Sequence, residues 1–266
     1  MKPLTTDRSV LETEGLTKRF GGLIAVDRVN FSMREGELRA IIGPNGAGKT
    51  TFFNLISGCL SPSEGRVFFK GEEITHLPAD QISRRGIART FQITSIFPNI
   101  TVYENIWAAA QTKKGFLNPL VHSSRLMDIR KRVEGILEIV GLHDKSGEIA
   151  SNLSHGDQRL LEIGIALGTD PHLLLLDEPT AGMSVKETRE TMERVKELSC
   201  KLSIIIVEHD MSVVMELADT ISVFDFGRII AEGPPEEIKR DERVQEVYLG
   251  GRSNDSEGRR HSHLLR

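Results

Sequence analysis

Eight consecutive residues, Gly43-Pro44-Asn45-Gly46-Ala47-Gly48-Lys49-Thr50, fill every position of the pattern G-x-x-x-x-G-K-[ST]. The chemistry this spacing offers is capture of a phosphate chain. Glycines let the backbone curl so that successive N–H groups converge on one anion. A helix opening at the end of the loop adds the partial positive charge of its N-terminus. The lysine of such a loop, here Lys49, reaches β- and γ-phosphates, and the Thr50 hydroxyl can ligate Mg²⁺. Thr51 follows in the same helix start.

A second run carries acid chemistry. Leu173-Leu174-Leu175-Leu176 leads directly into Asp177-Glu178. A carboxylate at the carboxyl end of a buried strand is placed to hold Mg²⁺, usually through water. The next carboxylate, Glu178, can polarise a water for in-line attack on a γ-phosphate. A buried acidic pair without a cation would be costly, so a purely structural role explains it poorly. A third run, Leu153-Ser154-His155-Gly156-Asp157-Gln158, opens a helix with Ser154 as N-cap and Asp157 in the capping-box position. Capping alone accounts for the serine. The same helix end, with the Ser154 hydroxyl and the Gly156 amide, is also an anion site. One triphosphate does not easily fill two such sites in one monomer, so this one is expected across a dimer interface, over the phosphates held by a partner.

These residues need strands and helices to hold them. Arg39-Ala40-Ile41-Ile42 reads as a short buried strand before the glycine loop, and residues 50–56 as the helix after it. The continuous apolar runs at 173–176 and 203–207 suit central strands of a parallel sheet covered on both faces. Residues 11–38 read as antiparallel strands, with Val29, Phe31 and Met33 alternating with polar neighbours, and Arg66–Phe69 as another strand closed by a Lys70-Gly71 turn. Ser184 and Glu187 form a capping box for a helix whose buried face carries Thr188, Met192, Val195 and Leu198. Residues 93–162 give helical and loop signals without a convincing strand. There Ile129, Val133, Ile136 and Val140 mark an amphipathic helix stopping at Gly141. The expected fold is α/β with a mainly parallel sheet, an N-terminal antiparallel β part and an inserted α-helical subdomain.

At 266 residues the chain can bury one substantial core. A net charge of -4 gives no sign of a nucleic-acid surface. Cys59 and Cys200 lie far apart without metal-type spacing and read as reduced residues of a cytosolic protein. The polar start carries no apolar signal region, and no window approaches the ~18 apolar residues that span a bilayer. The chain is expected to be soluble by itself, with any membrane role coming through a partner. Residues 111–124 read as an exposed loop or short helical excursion. The polar stretch 251–266 is expected to be disordered.

Taken in order, the phosphate loop, the serine-glycine-glutamine signature at 154–158, the 173–178 strand and the later Glu208-His209-Asp210 resemble the nucleotide-binding subunit of an ABC transporter over roughly residues 11–249. The resemblance implies a P-loop NTPase (RecA-like) core and ATP with Mg²⁺ as ligands. Residues 43–51 would bind the phosphates, joined by Ser154, Gly156, Asp157 and Gln158 of a second subunit. Phe20 would stack on adenine, Gln92 would touch Mg²⁺ beside Thr50 and Asp177, and His209 would join Glu178 in catalysis at the γ-phosphate. Read without the resemblance, Phe20 fits a core aromatic, Gln92 a surface glutamine and His209 an exposed strand-end residue. One domain is implied across 1–250, with core at 11–92 and 163–234, helical insertion at 93–162 and a C-terminal helix at 235–250.

Two departures narrow the branch. His155 stands where the signature usually has its first glycine, and Pro179-Thr180-Ala181-Gly182-Met183-Ser184 replaces the common Ser-Ala-Leu-Asp loop. With Arg89-Thr90-Phe91-Gln92, Leu161-Glu162-Ile163, Met211 and Val247-Tyr248-Leu249-Gly250, they resemble LivG-type ATPases of branched-chain amino acid uptake. Close relatives of that branch serve urea or short-amide uptake, and a cousin drives lipopolysaccharide export. The branch implies integral membrane permease subunits, a second ATPase subunit (a homodimer or a LivF-type heterodimer) and indirectly an extracytoplasmic solute-binding protein, with no nucleic acid. It places the chain at the cytoplasmic face of the inner membrane, held there by the permease. Phe97 and Tyr103 are candidate apolar contacts for such a subunit, with core packing equally open. Rival readings are a soluble ABC ATPase acting on DNA or ribosomes, a small-molecule kinase and a non-catalytic regulatory cassette. The single cassette without sustained heptads weighs against the first, residues 154–158 with His209 against the second, and Glu178 with His209 against the third.

Overall fold

A computed structural model describes residues 9–90, 96–111 and 123–248, with the side chains of 123–125 left aside. The chain begins with two long antiparallel strands, β1 (Ser9–Phe20) and β2 (Leu23–Arg34). On β2, Val29, Phe31 and Met33 are buried while Asn30, Ser32 and Arg34 are exposed, the alternation of a strand with one covered face. Then come β3 (Leu38–Ile42), α1 (Lys49–Ile56), β4 (Glu64–Phe69), the two-residue β5 (Glu72–Glu73) and α2 (Ala79–Arg85). The β4–β5 turn falls on Lys70 and Gly71, both at positive φ. Strands β2-β1-β4-β5 make one antiparallel sheet.

The second sheet positions the chemistry. Following β6 (Ile87–Arg89), three helices, α3 (Val102–Ala110), α4 (Ser123–Val140) and α5 (His155–Gly168), fill the helical region. They are followed by β7 (Leu173–Asp177), α6 (Val185–Ser199), β8 (Ser203–Val207), α7 (Met211–Leu217), β9 (Thr220–Asp225), β10 (Arg228–Gly233) and α8 (Pro235–Ile238). The sheet order is β10-β9-β3-β8-β7-β6. Neighbours from β9 to β6 are parallel, and β10 closes the edge antiparallel to β9.

Strand pleating divides the core in two. Leu38, Ala40, Ile42, Leu174, Leu176, Ile204 and Ile206 face one way, onto α3–α6. Ile41, Leu173, Leu175, Ile205 and Val207 face the other way, onto α1 and the antiparallel sheet. The apolar runs 173–176 of β7 and 204–207 of β8 follow from this, because both faces are covered.

Sequence boundaries shift in three places. From the sequence, residues 87–91 read as a strand leading to Gln92, whereas β6 ends at Arg89. Thr90 still donates its N–H to Leu175 at 2.9 Å, and Phe91 and Gln92 lie outside the described residues. Instead of one helix over 235–250, α8 ends at Ile238 and a second helical run covers 242–248. Asp241 causes the break: its Oδ1 accepts the Arg243 N–H at 2.9 Å, the bond of an N-cap. Finally, α5 runs unbroken through the expected boundary at 162/163. Most of 111–124, and all of 251–266, fall outside the described residues.

The segment entering α3 is pinned by one side chain. Asn105 is fully buried, accepts the Phe97 N–H at 2.8 Å and donates to the carbonyls of Phe97 and Thr101 at 3.1 and 2.9 Å. Removing it leaves the Phe97 N–H without this partner and takes one of the bonds made to each of the Phe97 and Thr101 carbonyls. Asn105→Ala is expected to lower unfolding free energy by about 2 kcal/mol, seen as a reduced urea midpoint with an unchanged slope.

Candidate active site

The carboxyl ends of β3, β8 and β7 lie side by side because the three strands are parallel and adjacent. Each end delivers one part of the site, as expected at the ligand-binding edge of such a sheet. Out of β3 comes the glycine loop. There Gly43 and Gly48 have φ of 150° and 99°, and a Cβ at either would sit 2.1 Å from the Phe224 carbonyl or 2.3 Å from that of Ala25. No other residue type fits both places.

Lys49 begins α1, and its ammonium folds back into the loop, 2.6 Å from the Gly43 carbonyl and 2.9 Å from that of Pro44. Burial pushes its pKa below the usual lysine value, while the carboxylates of Glu178 and Asp177 pull it back up. The loop cation thus lies in the field of both acids at the end of β7. Thr50 is exposed and Thr51 half-buried at the same helix start.

Asp177 is the last residue of β7, and its side chain is fully buried. Oδ2 meets Arg89 Nη2 at 2.9 Å, whereas Oδ1 has no hydrogen-bond partner among the described residues. A buried, half-satisfied carboxylate oxygen beside a phosphate loop suits a divalent cation, so the donor set fits Mg²⁺, which needs few protein ligands when phosphates and water supply the rest. Among the described residues, no cluster of three or more acidic, His or Cys side chains forms a separate metal cage.

Glu178 turns away from the strand at φ 49°, in the left-handed region. For a non-glycine residue this conformation costs about 1–2 kcal/mol, and such strain collects at functional sites. Two neighbours hold it there. Its N–H donates to Val207 at 2.9 Å, and Oε1 lies 2.5 Å from His209 Nε2. Sequence reading placed His209 and Glu178 at strand ends, and the structure brings them into direct contact.

Glu208, which the sequence reading passed over, is buried and accepts both the N–H and the hydroxyl of Thr180, at 3.1 and 2.7 Å. Burial raises its pKa and the Thr180 bonds lower it. It ties the loop after Glu178 to the end of β8. Beside this loop lies a cavity of about 570 Å³, reaching from Glu178 and His209 to Met192 and Glu216.

The signature helix α5 is capped as expected. Ser154 Oγ accepts the Asp157 N–H at 3.1 Å. The capping box is not reciprocal, however: the Asp157 carboxylate takes the Ser154 hydroxyl and Lys145 instead of the Ser154 backbone. Gln158 donates to the Leu153 carbonyl at 3.2 Å. Among the described residues, no hydrogen bond joins the 154–158 turn to the 43–50 loop. The two departures noted in the sequence are neighbours. His155 is exposed and turns toward Gly182, where a Cβ would stand 3.4 Å from its Nε2. The Glu187 carboxylate lies against Gly156.

The remaining candidates divide. Phe20 is 46% exposed at the end of β1, with Lys18 Nζ 5.3 Å from its ring centroid. Core packing is therefore excluded for it. Phe97 is 59% exposed, whereas Tyr103 is half-buried and stacks on Trp107 at 5.7 Å. Gln92 falls outside the described residues. Both Cys59 and Cys200 are free thiols at the surface. Tyr248, noted in the sequence only as part of a C-terminal motif, brings the last helical run to the phosphate loop. Burial pushes its hydroxyl pKa up to about 12, with the Gly43 backbone acting in the opposite direction.

Comparison with known proteins agrees with this geometry. The ABC transporter family matches residues 26–181, and a branched-chain amino acid ATP-binding cassette transporter family matches 228–253. The chain is 41% identical over 249 residues to the high-affinity branched-chain amino acid transport ATP-binding protein LivG of Salmonella typhimurium, covering 91% of this chain and 98% of that one. A crystal structure of an ABC transporter cassette in its ADP conformation is 34% identical, with a TM-score of 0.80 over 91% of this chain and 99% of that one. A dimeric cassette in a post-hydrolysis state with ADP and Pi is 26% identical, with a TM-score of 0.72 over 85% and 98%. With its phosphate loop, strand-end acids and signature helix all carried on one cassette fold, the chain belongs to the ABC transporter family, as one of its ATP-hydrolysing subunits.

Proposed function

We propose that this chain hydrolyses ATP to energise uptake of branched-chain amino acids through separate membrane subunits. The observation that carries the reading is the junction of three strand ends, where Lys49 lies in the field of Asp177 and Glu178, and Glu178 meets His209. Likeness to LivG over nearly the full length supports the cargo. No helix among the described residues is long and apolar enough to cross a membrane, which agrees with a peripheral subunit held by permeases at the cytoplasmic face. The proposed partners are those permeases, a second ATPase subunit (homodimeric or LivF-type) and, beyond the membrane, a solute-binding protein.

In this reading residues 43–51 grip the triphosphate of ATP. Thr50 and Asp177, with Gln92, would hold Mg²⁺, which would supply charge neutralisation on the triphosphate. Glu178 orients the attacking water, and His209, bonded to it, fixes its carboxylate and faces the γ-phosphate. Ser154, Gly156, Asp157 and Gln158 of a second subunit close over the far side of the nucleotide. Binding then draws two subunits together and cleavage releases them. Glu187, lying against Gly156, gives way as the partner's phosphates arrive. The proposed domain limits are one cassette over 1–250, with the helical insertion expected at 93–162 running on through α5 to Gly168.

Phe20 supplies the adenine platform. Base–aromatic stacking contributes about 1–3 kcal/mol, so Phe20→Ala is expected to raise the ATP dissociation constant at least fivefold while leaving the maximal hydrolysis rate near normal. Titration with a fluorescent ATP analogue measures this. Cargo is tested by purifying the chain with its permeases and reconstituting them in liposomes with the co-encoded binding protein. Stimulation of hydrolysis by leucine, isoleucine or valine supports the reading; stimulation only by urea or short amides overturns the cargo and leaves the ATPase standing.

A further inference from the structure

Arg89 closes β6, three residues before Gln92, and its guanidinium is almost wholly buried. One arm, Nη2, bonds Asp177 Oδ2 at 2.9 Å. The other, Nη1, bonds Asn54 Oδ1 at 2.6 Å and Ser57 Oγ at 3.2 Å. The Phe53 ring lies 5.6 Å from its centre. Phe53 and Asn54 sit on α1 and Ser57 caps its end, and α1 is the helix that opens with Lys49 and Thr50. One planar fork therefore locks the Asp177 carboxylate to the phosphate-loop helix. Because Oδ2 is held, rotation of the carboxylate is blocked and the unpartnered Oδ1 keeps one direction.

We propose that Arg89 is a positioning residue for the metal of bound MgATP: it sets the angle of Asp177 and fixes Asp177 and Thr50 relative to each other. The proposal rests on Asp177 as the Mg²⁺ carboxylate. Outer groups that orient a metal ligand are commonly worth 10–100-fold in metal affinity. Lysine does not replace the fork, because it is a single flexible point charge. Arg89 does not touch ATP, so its removal should act on metal and leave nucleotide contacts alone.

The test separates those two quantities in the full chain. Binding of a fluorescent ATP analogue in EDTA reports the phosphate loop without metal. Loss of the free Mn²⁺ resonance signal, titrated with a non-hydrolysable ATP analogue present, reports metal affinity without turnover. Arg89→Met and Arg89→Lys are expected to bind the analogue in EDTA within about twofold of wild type. Their Mn²⁺ dissociation constants should rise about tenfold, and that of Asn54→Ala, which loosens the brace and keeps the ion pair, by a smaller factor. If Arg89→Met fails to fold, Arg89→Lys carries the comparison. Unchanged Mn²⁺ affinity in Arg89→Lys, with Asp177→Asn weakened, overturns the positioning role. If Asp177→Asn itself binds Mn²⁺ normally, the assignment of Asp177 to the metal falls, and the proposal with it.

Discussion

Glu178→Gln is expected to bind ATP with near-normal affinity, to hydrolyse it about 10²–10⁴-fold more slowly, and to accumulate as a closed dimer. The substitution removes a carboxylate that can polarise water and keeps the side chain's size. The backbone bond to Val207, which does not involve the carboxylate, helps hold the φ of 49° at this position, so the amide should occupy the same place. His209 loses a charged partner and keeps a hydrogen-bonding one. Phosphate release in single turnover is the measurement; a rate within threefold of wild type would remove Glu178 from its assigned role.

Lys49→Ala is expected to weaken ATP binding about 10²-fold, since a charged hydrogen-bond donor to a buried anion contributes about 3 kcal/mol. The ammonium lies inside the loop, bonded to the Gly43 and Pro44 carbonyls. The loop itself should survive, because its shape depends on Gly43 and Gly48 packed against Phe224 and Ala25. Equilibrium titration with ATP in EDTA isolates the lysine from metal effects, and an unchanged dissociation constant would contradict the phosphate-loop assignment.

Local pattern and tertiary contact divide what could be read in advance. The glycine loop, the apolar runs of β7 and β8, the capped helices α5 and α6 and the alternating β2 are written in residue periodicity and punctuation, which neighbours in sequence determine. The two-sheet α/β architecture follows from them. Arg89, Glu208 and Tyr248 were not legible as parts of the site, because each acts through a partner far along the chain: Asp177, Thr180 and Gly43 respectively. A lone arginine ending a three-residue strand carries no signal until the strand order places it beside β7. Likewise His155 and the 179–184 loop look like two unrelated departures until His155 is found beside Gly182. At the C-terminus a local signal was present and outweighed: Asp241 is a good N-cap, and it divides the expected 235–250 helix in two.

The composite site is the claim on which the transport reading stands, and crosslinking tests it most directly. With the surface thiols Cys59 and Cys200 changed to serine, cysteines at Asn45 and Ser154 can be introduced in the Glu178→Gln chain and oxidised, alone and with any co-purifying ATPase subunit. The account predicts a covalent pair joining position 45 of one subunit to 154 of another, formed with ATP and absent with ADP. A crosslink that forms within single chains, or no intersubunit crosslink with ATP in either setting, would contradict it.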